Sequence, residues 1–193
     1  MHTTTLDKTE LQLLEAKKKV GLLVVLTGNG KGKTSSALGM ALRASGHGMK
    51  VCIIDFMKGD MYAGELDGIA KLAPNVELHL TGKGFCGIQG NHYPYKEHRA
   101  NAQDAAKLAK EKISSGLYDM IILDEINNAL KLRLVDLPQV IELIDAKPAL
   151  THLVLTGRDA HPEIIERADT VTEMREIKHA YRKGIEPQKG IDY

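Results

Sequence analysis

The residues best equipped for chemistry stand together in one octet, Thr27-Gly28-Asn29-Gly30-Lys31-Gly32-Lys33-Thr34. Its spacing follows the phosphate-loop pattern of Gly, four residues, then Gly-Lys-Ser/Thr, with Thr27 in the first glycine position. Glycines let successive backbone N–H groups turn toward phosphate oxygens. A helix opening directly after the loop adds unpaired N–H groups and its positive end. Lys33 brings a mobile charge for terminal phosphates, and the Thr34 hydroxyl is a ligand suited to Mg²⁺. Gly28, Gly30, Gly32 and Ser35 complete the expected phosphate contacts. Asn29 is either a nucleoside contact or plain loop, and Lys31 either a phosphate contact or an exposed loop lysine. A merely flexible turn leaves the Gly-Lys-Thr triplet unexplained. The glycine spacing also lacks the third glycine of a dinucleotide fingerprint.

A second acidic signal follows a hydrophobic run, Met120-Ile121-Ile122-Leu123-Asp124-Glu125. An aspartate at such a strand end holds Mg²⁺ (Mn²⁺ is the variant) directly or through water in phosphate-loop proteins. Asp124 takes that role, with Glu125 polarising a water or completing the metal's outer shell. Asp55 ends another hydrophobic run and either orients partners of the metal or caps its own strand. Lys58, just beyond, reads as a phosphate contact or a surface lysine. These signals point to nucleoside-triphosphate binding, without choosing among kinases, ATPases, GTPases and group transferases. No Asn/Thr-Lys-x-Asp guanine-reading motif follows a strand, which favours ATP. His79, Cys86, His92 and His98 match no compact zinc pattern, and no Ser/His/Asp or Cys/His catalytic set is evident.

These groups need elements that bring them to one place. Hydrophobic patterning predicts strands over residues 22–26, 51–56, 76–80, 120–123, 152–155 and 170–174. Helices are expected over 33–45, 61–72, 96–115, 137–145 and 162–167. Continuous rather than alternating apolar strands indicate a sheet covered on both faces. The fold class is therefore α/β, a mostly parallel sheet flanked by helices. Ligands in such sheets bind outside the carboxyl ends of the strands, which is where the octet and Asp124 fall. Residues 1–20 read as an N-terminal arm, helical or disordered, and 21–193 as the nucleotide-binding domain.

Composition narrows the classes further. Lys plus Arg number 26 and Asp plus Glu 25, a net charge of +1, so the chain as a whole lacks the excess that non-specific nucleic-acid binding requires. The hydrophobic fraction is 43%, but aromatics are 4% with no Trp, so the core must be mainly aliphatic. Cys52 and Cys86 are too few for a disulfide scaffold. No apolar run approaches the roughly 20 residues that span a bilayer. A cytoplasmic protein without membrane or nucleic-acid partners is expected.

The octet resembles the phosphate loop of the ATP:corrinoid adenosyltransferases, which act on cob(I)alamin or cob(I)yrinic acid a,c-diamide. The likeness continues through Arg43-Ala44-Ser45-Gly46-His47-Gly48, Phe56-Met57-Lys58-Gly59 and Gly82-Lys83-Gly84-Phe85. It extends to Leu123-Asp124-Glu125, Leu155-Thr156-Gly157-Arg158, the stretch Ala168 to Met174, Lys178-His179-Ala180 and the terminal Gly190-Ile191-Asp192-Tyr193. The resemblance covers about residues 20–193 and implies a RecA-like three-layer sandwich of the P-loop NTPase class. It implies transfer of the 5′-deoxyadenosyl group of ATP to Co(I), with triphosphate leaving intact and no protein general base. It further implies a flavoprotein reductant, a homodimer and a role in adenosylcobalamin biosynthesis or salvage. Lys33 would neutralise charge growing on the triphosphate. Arg158 would contact nucleotide or corrinoid, and Glu173 would receive a ribose hydroxyl or brace a strand. His179 would contact substrate or cap an element. Phe85 would press on the lower corrin face; the family pattern has Trp two residues later, where this chain has Gly87, leaving Ile88, Tyr93 or Tyr95 to supply apolar mass. Two alternatives stand beside this one: a RecA-like ATPase or small-molecule kinase, and a non-enzymatic nucleotide- or corrinoid-binding module.

Overall fold

The computed structural model describes residues 18–59, 62–84, 86 and 92–193. Most of the expected N-terminal arm, and Phe85, Gly87 and Ile88, lie outside the described residues.

In chain order the elements are β1 (Leu23–Thr27), α1 (Lys33–Gly46), β2 (Val51–Asp55), α2 (Gly64–Ala70), β3 (Val76–Leu80) and α3 (Tyr95–Ser114). Then come β4 (Met120–Asp124), α4 (Ile126–Lys131), α5 (Leu137–Asp145), β5 (His152–Thr156), α6 (Pro162–Arg167) and β6 (Thr170–Glu173). A 3₁₀ turn, Ala180–Lys183, closes the regular structure. The strands form one sheet in the order β3-β2-β4-β5-β1-β6, and every pairing is parallel.

Two separate apolar clusters explain the unbroken strand hydrophobicity. Leu23 and Val25 of β1, Cys52 and Ile54 of β2, and Leu153 and Leu155 of β5 pack with α3, α4, α5 and α6. Their neighbours Val24, Leu26, Ile53, Ile122 and Val154 pack against α1 and α2. Successive strand side chains point to opposite faces, so each central strand needs apolar residues at every position. With few aromatics available, the helices approach closely through alanine: Ala37, Ala41 and Ala44 on α1, and Ala102, Ala105 and Ala109 on α3, are all buried.

The boundaries fall within a residue or two of expectation for most elements, with Phe56 and Met174 just outside their strands. Two elements differ more. The helix expected over 61–72 is regular only as Gly64–Ala70. Helix α4 had no sequence signal, because six residues are too few to display a 3.6-residue period. Strand β6 is exposed along its whole length, since it borders the sheet and pairs with β1 alone.

Candidate active site

The loop between β1 and α1 is shaped by close backbone approach. Gly28 has φ +91°, and a Cβ there would lie 2.4 Å from the Met174 carbonyl oxygen. Gly30 donates its N–H to that same oxygen at 2.7 Å. The loop is thus clamped onto the end of β6. Gly32 serves as the N-cap of α1 with φ 112° and no side-chain cap, so the first N–H groups of α1 stay free of side-chain acceptors. That combination is an anion-binding helix terminus.

Lys33 is buried, and its Nζ donates to the carbonyl oxygens of Gly28 and Gly30, 2.8 Å each. Burial pulls its ammonium below the ordinary lysine value. Behind it, the Thr34 hydroxyl stands 3.1 Å from each oxygen of Asp124. Asp124 also accepts from Thr156 Oγ1 at 2.5 Å. Burial, then the Asp55 charge, raises the Asp124 carboxyl above the usual range. Lys58 Nζ lies 3.7 Å from both Asp55 and Asp124 and 2.9 Å from Glu65. Burial opposes its charge, but Asp124, Glu65 and Asp55 outweigh that and hold the ammonium above its ordinary value.

Glu125 occupies a left-handed backbone position, φ 62°, between β4 and α4. Its N–H donates to Thr156 Oγ1 at 2.9 Å, and its carboxylate accepts from Asn128 Nδ2. Asn128 Oδ1 in turn accepts the Arg158 N–H at 2.6 Å. Burial, then Asp124 and Asp55, push the Glu125 carboxyl up to about 7.

These groups surround a cleft of about 990 Å³ at the carboxyl ends of the strands. Asn29, Gly30, Lys31, Gly32, Lys33, Thr34 and Ser35 form one wall, and Lys58, Glu125 and Arg158 face into the same space. Three of the expected residues stand elsewhere. Gly28 lies behind the loop, Glu173 touches it there, and Asp124 stands behind Thr34, in contact with its hydroxyl. Glu173 thus supports its brace reading by position. Asp55 accepts the N–H groups of Met57 and Lys58, which is strand-end capping, while also pairing with Lys58. His179 combines both expectations: it lines the cleft, and its Nδ1 accepts the Tyr181 N–H to cap the 3₁₀ turn. Cleft residues that sequence reasoning missed include Asn128, Lys131 and the terminal segment 190–193.

The oxygen donors of Thr34, Asp124 and Glu125 suit a hard divalent cation, and the crowded carboxylates of Asp55, Asp124 and Glu125 would be relieved by one. Among the described residues, the one soft-ligand cluster is Cys52, Glu77 and His79, with ligand atoms within 4.8 Å. There Lys112 Nζ, 2.7 Å from Glu77, already supplies the cation, and Tyr118 donates to the same oxygen at 2.6 Å. Cys86, His92 and His98 take no part in it.

Tyr95 Oη donates to the carbonyl oxygens of Leu132, which lines the cleft, and Arg133, and Tyr93 meets His98 edge-on.

The chain is similar to known proteins along nearly its whole length. The chain is 41% identical over 182 residues to a corrinoid adenosyltransferase of Pseudomonas aeruginosa, covering 94% of this chain and 88% of that one. It is 35% identical to the corrinoid adenosyltransferases of Escherichia coli and Salmonella typhimurium, in each case over 97% of this chain and 93% of the relative. A KaiC-like protein from Pyrococcus horikoshii shares the fold, with a TM-score of 0.52 and 18% identity over 83% of this chain and 76% of that one. A model of the ATP:corrinoid adenosyltransferase family BtuR/CobO/CobP matches residues 19–193, almost the whole described structure, and the chain belongs to that family.

Proposed function

We propose that the cleft joins the 5′-deoxyadenosyl group of ATP to the cobalt of a reduced corrinoid, with the phosphate loop holding the triphosphate as leaving group. The enzyme is an ATP:corrinoid adenosyltransferase. The Co(I) electron pair forms the Co–C bond to C5′, and the C5′–O bond breaks with its electrons going to the triphosphate. The observation that carries this reading is the convergence of Lys33, Thr34 and the uncapped start of α1 on one wall of a cleft that also holds Arg158. A cleft of about 990 Å³ is at the upper end of small-molecule sites, roughly 300–1,000 Å³, and leaves space beside a nucleotide for part of a second substrate.

Catalysis in this reading is positioning and charge neutralisation. Lys33, Lys31 and Arg158 bind the triphosphate and stabilise the charge it gains. Thr34, Asp124 and Glu125 would hold Mg²⁺ or Mn²⁺, which supplies further positive charge to the leaving group. Lys58 holds the two aspartates in place. By the family likeness Phe85 would cover the lower face of the corrin; its sequence neighbour Cys86 lines the cleft. A flavoprotein electron donor, a homodimer and a cytoplasmic setting accompany the reading; no helix among the described residues is long and apolar enough to cross a membrane.

Glu125 favours a second reading. A carboxyl titrating near 7 beside a phosphate loop is placed to activate water, as a RecA-like ATPase needs. Product analysis separates the two. Anaerobic incubation with ATP and a Co(I) corrinoid is expected to yield a light-sensitive Co–C product and one equivalent of intact triphosphate. ADP and phosphate, released with or without corrinoid, would establish the ATPase instead. The same assay across cobalamin, cobinamide and cobyrinic acid a,c-diamide identifies the acceptor.

A further inference from the structure

The segment Gly190-Ile191-Asp192-Tyr193 lies on the wall of the cleft, yet nothing in the reaction described above uses it. Its geometry is specific. Lys31, inside the phosphate loop, places its Nζ on Asp192 Oδ1. The other carboxylate oxygen of Asp192 accepts the Gln188 N–H at 2.8 Å, and the Asp192 N–H donates back to the Gln188 carbonyl at 2.8 Å. Gly190, at φ +79°, donates to the Tyr193 carbonyl oxygen at 2.8 Å, which closes the turn. At its far end the segment reaches the start of α2, where a Cβ on Gly64 would lie 3.8 Å from the Tyr193 carbonyl carbon. The strap therefore runs from the phosphate loop to α2 along one side of the cleft. Apolar burial contributes little to its hold, since Ile191 is 73% and Tyr193 47% exposed.

We infer that Asp192 is a positioning residue for nucleotide binding, fixing the Lys31 side chain and docking residues 188–193 as a wall of the ATP cleft. Lys31 and Lys33 are two cations in one short loop, and the charge of Lys31 disfavours that of Lys33. An anchored carboxylate on the outer side of the loop offsets the Lys31 charge and restricts its rotamers. A lysine held in this way loses less side-chain entropy when a phosphate oxygen arrives. The backbone bonds to Asp192 make it a fixed point, in contrast to a freely rotating surface partner.

This inference rests on the nucleotide reading of the cleft, so the test begins with ATP binding to the full wild-type chain, measured by calorimetry. Absence of binding there defeats the nucleotide reading itself. Given wild-type binding, Asp192→Asn is expected to weaken ATP about two- to fivefold, the scale of a partly exposed ion pair. Asp192→Glu should recover most of that loss. In a Lys31→Met background, Asp192→Asn should cause no further loss, because the pair acts as one unit. Trypsin should cut after Lys183 or Lys189 faster in Asp192→Asn than in wild type. Equal or tighter ATP binding by Asp192→Asn overturns the inference, as does a loss that persists undiminished in the Lys31→Met background.

Discussion

Replacing Glu125 by Gln should stabilise the fold at alkaline pH and leave it nearly unchanged in acid. The Glu125 carboxyl lies among Asp124, Asp55 and buried backbone, and titrates at about 7 instead of 4.5. At about 1.36 kcal/mol per pH unit, holding it ionised in the folded chain costs up to about 3 kcal/mol. The direction follows from proton counting. Below about pH 4.5 both folded and unfolded chains carry the proton, and the residue has no effect on stability. Between about 4.5 and 7 the unfolded chain has lost the proton while the folded chain keeps it, so stability falls as pH rises. Above about 7 both forms are ionised and the loss is complete. Gln keeps the shape and offers its carbonyl to Asn128, which already donates to this side chain. Urea unfolding of both chains at pH 5 and pH 8, with chelator present, reads the effect as a difference of differences. Asp124 loses a neighbouring negative charge in Glu125→Gln, which acts in the same direction and adds to the gain at high pH. Glu125→Gln should gain about 2–3 kcal/mol on wild type in going from pH 5 to pH 8, visible as a midpoint shift on the order of 1 M urea. A stability difference independent of pH would refute the assignment of the buried charge to Glu125.

Two further predictions concern the loop. Lys33→Ala should slow adenosyl transfer by roughly 10²–10³-fold, the scale of removing one preorganised charge donor, and single-turnover rates at saturating ATP will measure it; an unchanged rate removes Lys33 from the chemistry. Gly28→Ala combines a left-handed φ of +91° with a Cβ 2.4 Å from the Met174 carbonyl oxygen. It should therefore cost at least about 2 kcal/mol of stability and weaken ATP binding together with it; a variant with wild-type unfolding midpoint would show that the clamp on β6 yields freely.

Most of the cleft was legible because its chemistry sits at strand ends. The octet, Asp124 and Glu125 follow β1 and β4 directly, and parallel strands bring their carboxyl ends to one rim. The hidden parts come from positions that local pattern cannot link. Thr156 supports both Asp124 and Glu125, but nothing near residue 156 announces a partner at 124. Asn128 sits on α4, a helix too short to be seen. The terminal Gly-Ile-Asp-Tyr was noticeable only as a likeness, since its partner, Lys31, is 161 residues away. Glu173, at the end of β6, left a ribose contact and a brace equally open in the sequence, because local pattern does not show that its side chain packs beneath Gly28.

The order of strands has a consequence for how the protein comes into being. β1 is made first among the strands, but its neighbours are β5 and β6, and Leu22 and Leu23 bond to His152 and Asp169 across 130 and 146 residues. The strand that carries the phosphate loop therefore gains its sheet partners only after β5 and β6 have been made. A nascent chain that stops before β5 and β6 would carry the whole octet without the strands that frame it, so ATP affinity is expected to report on the pairing of β1 as much as on the loop itself.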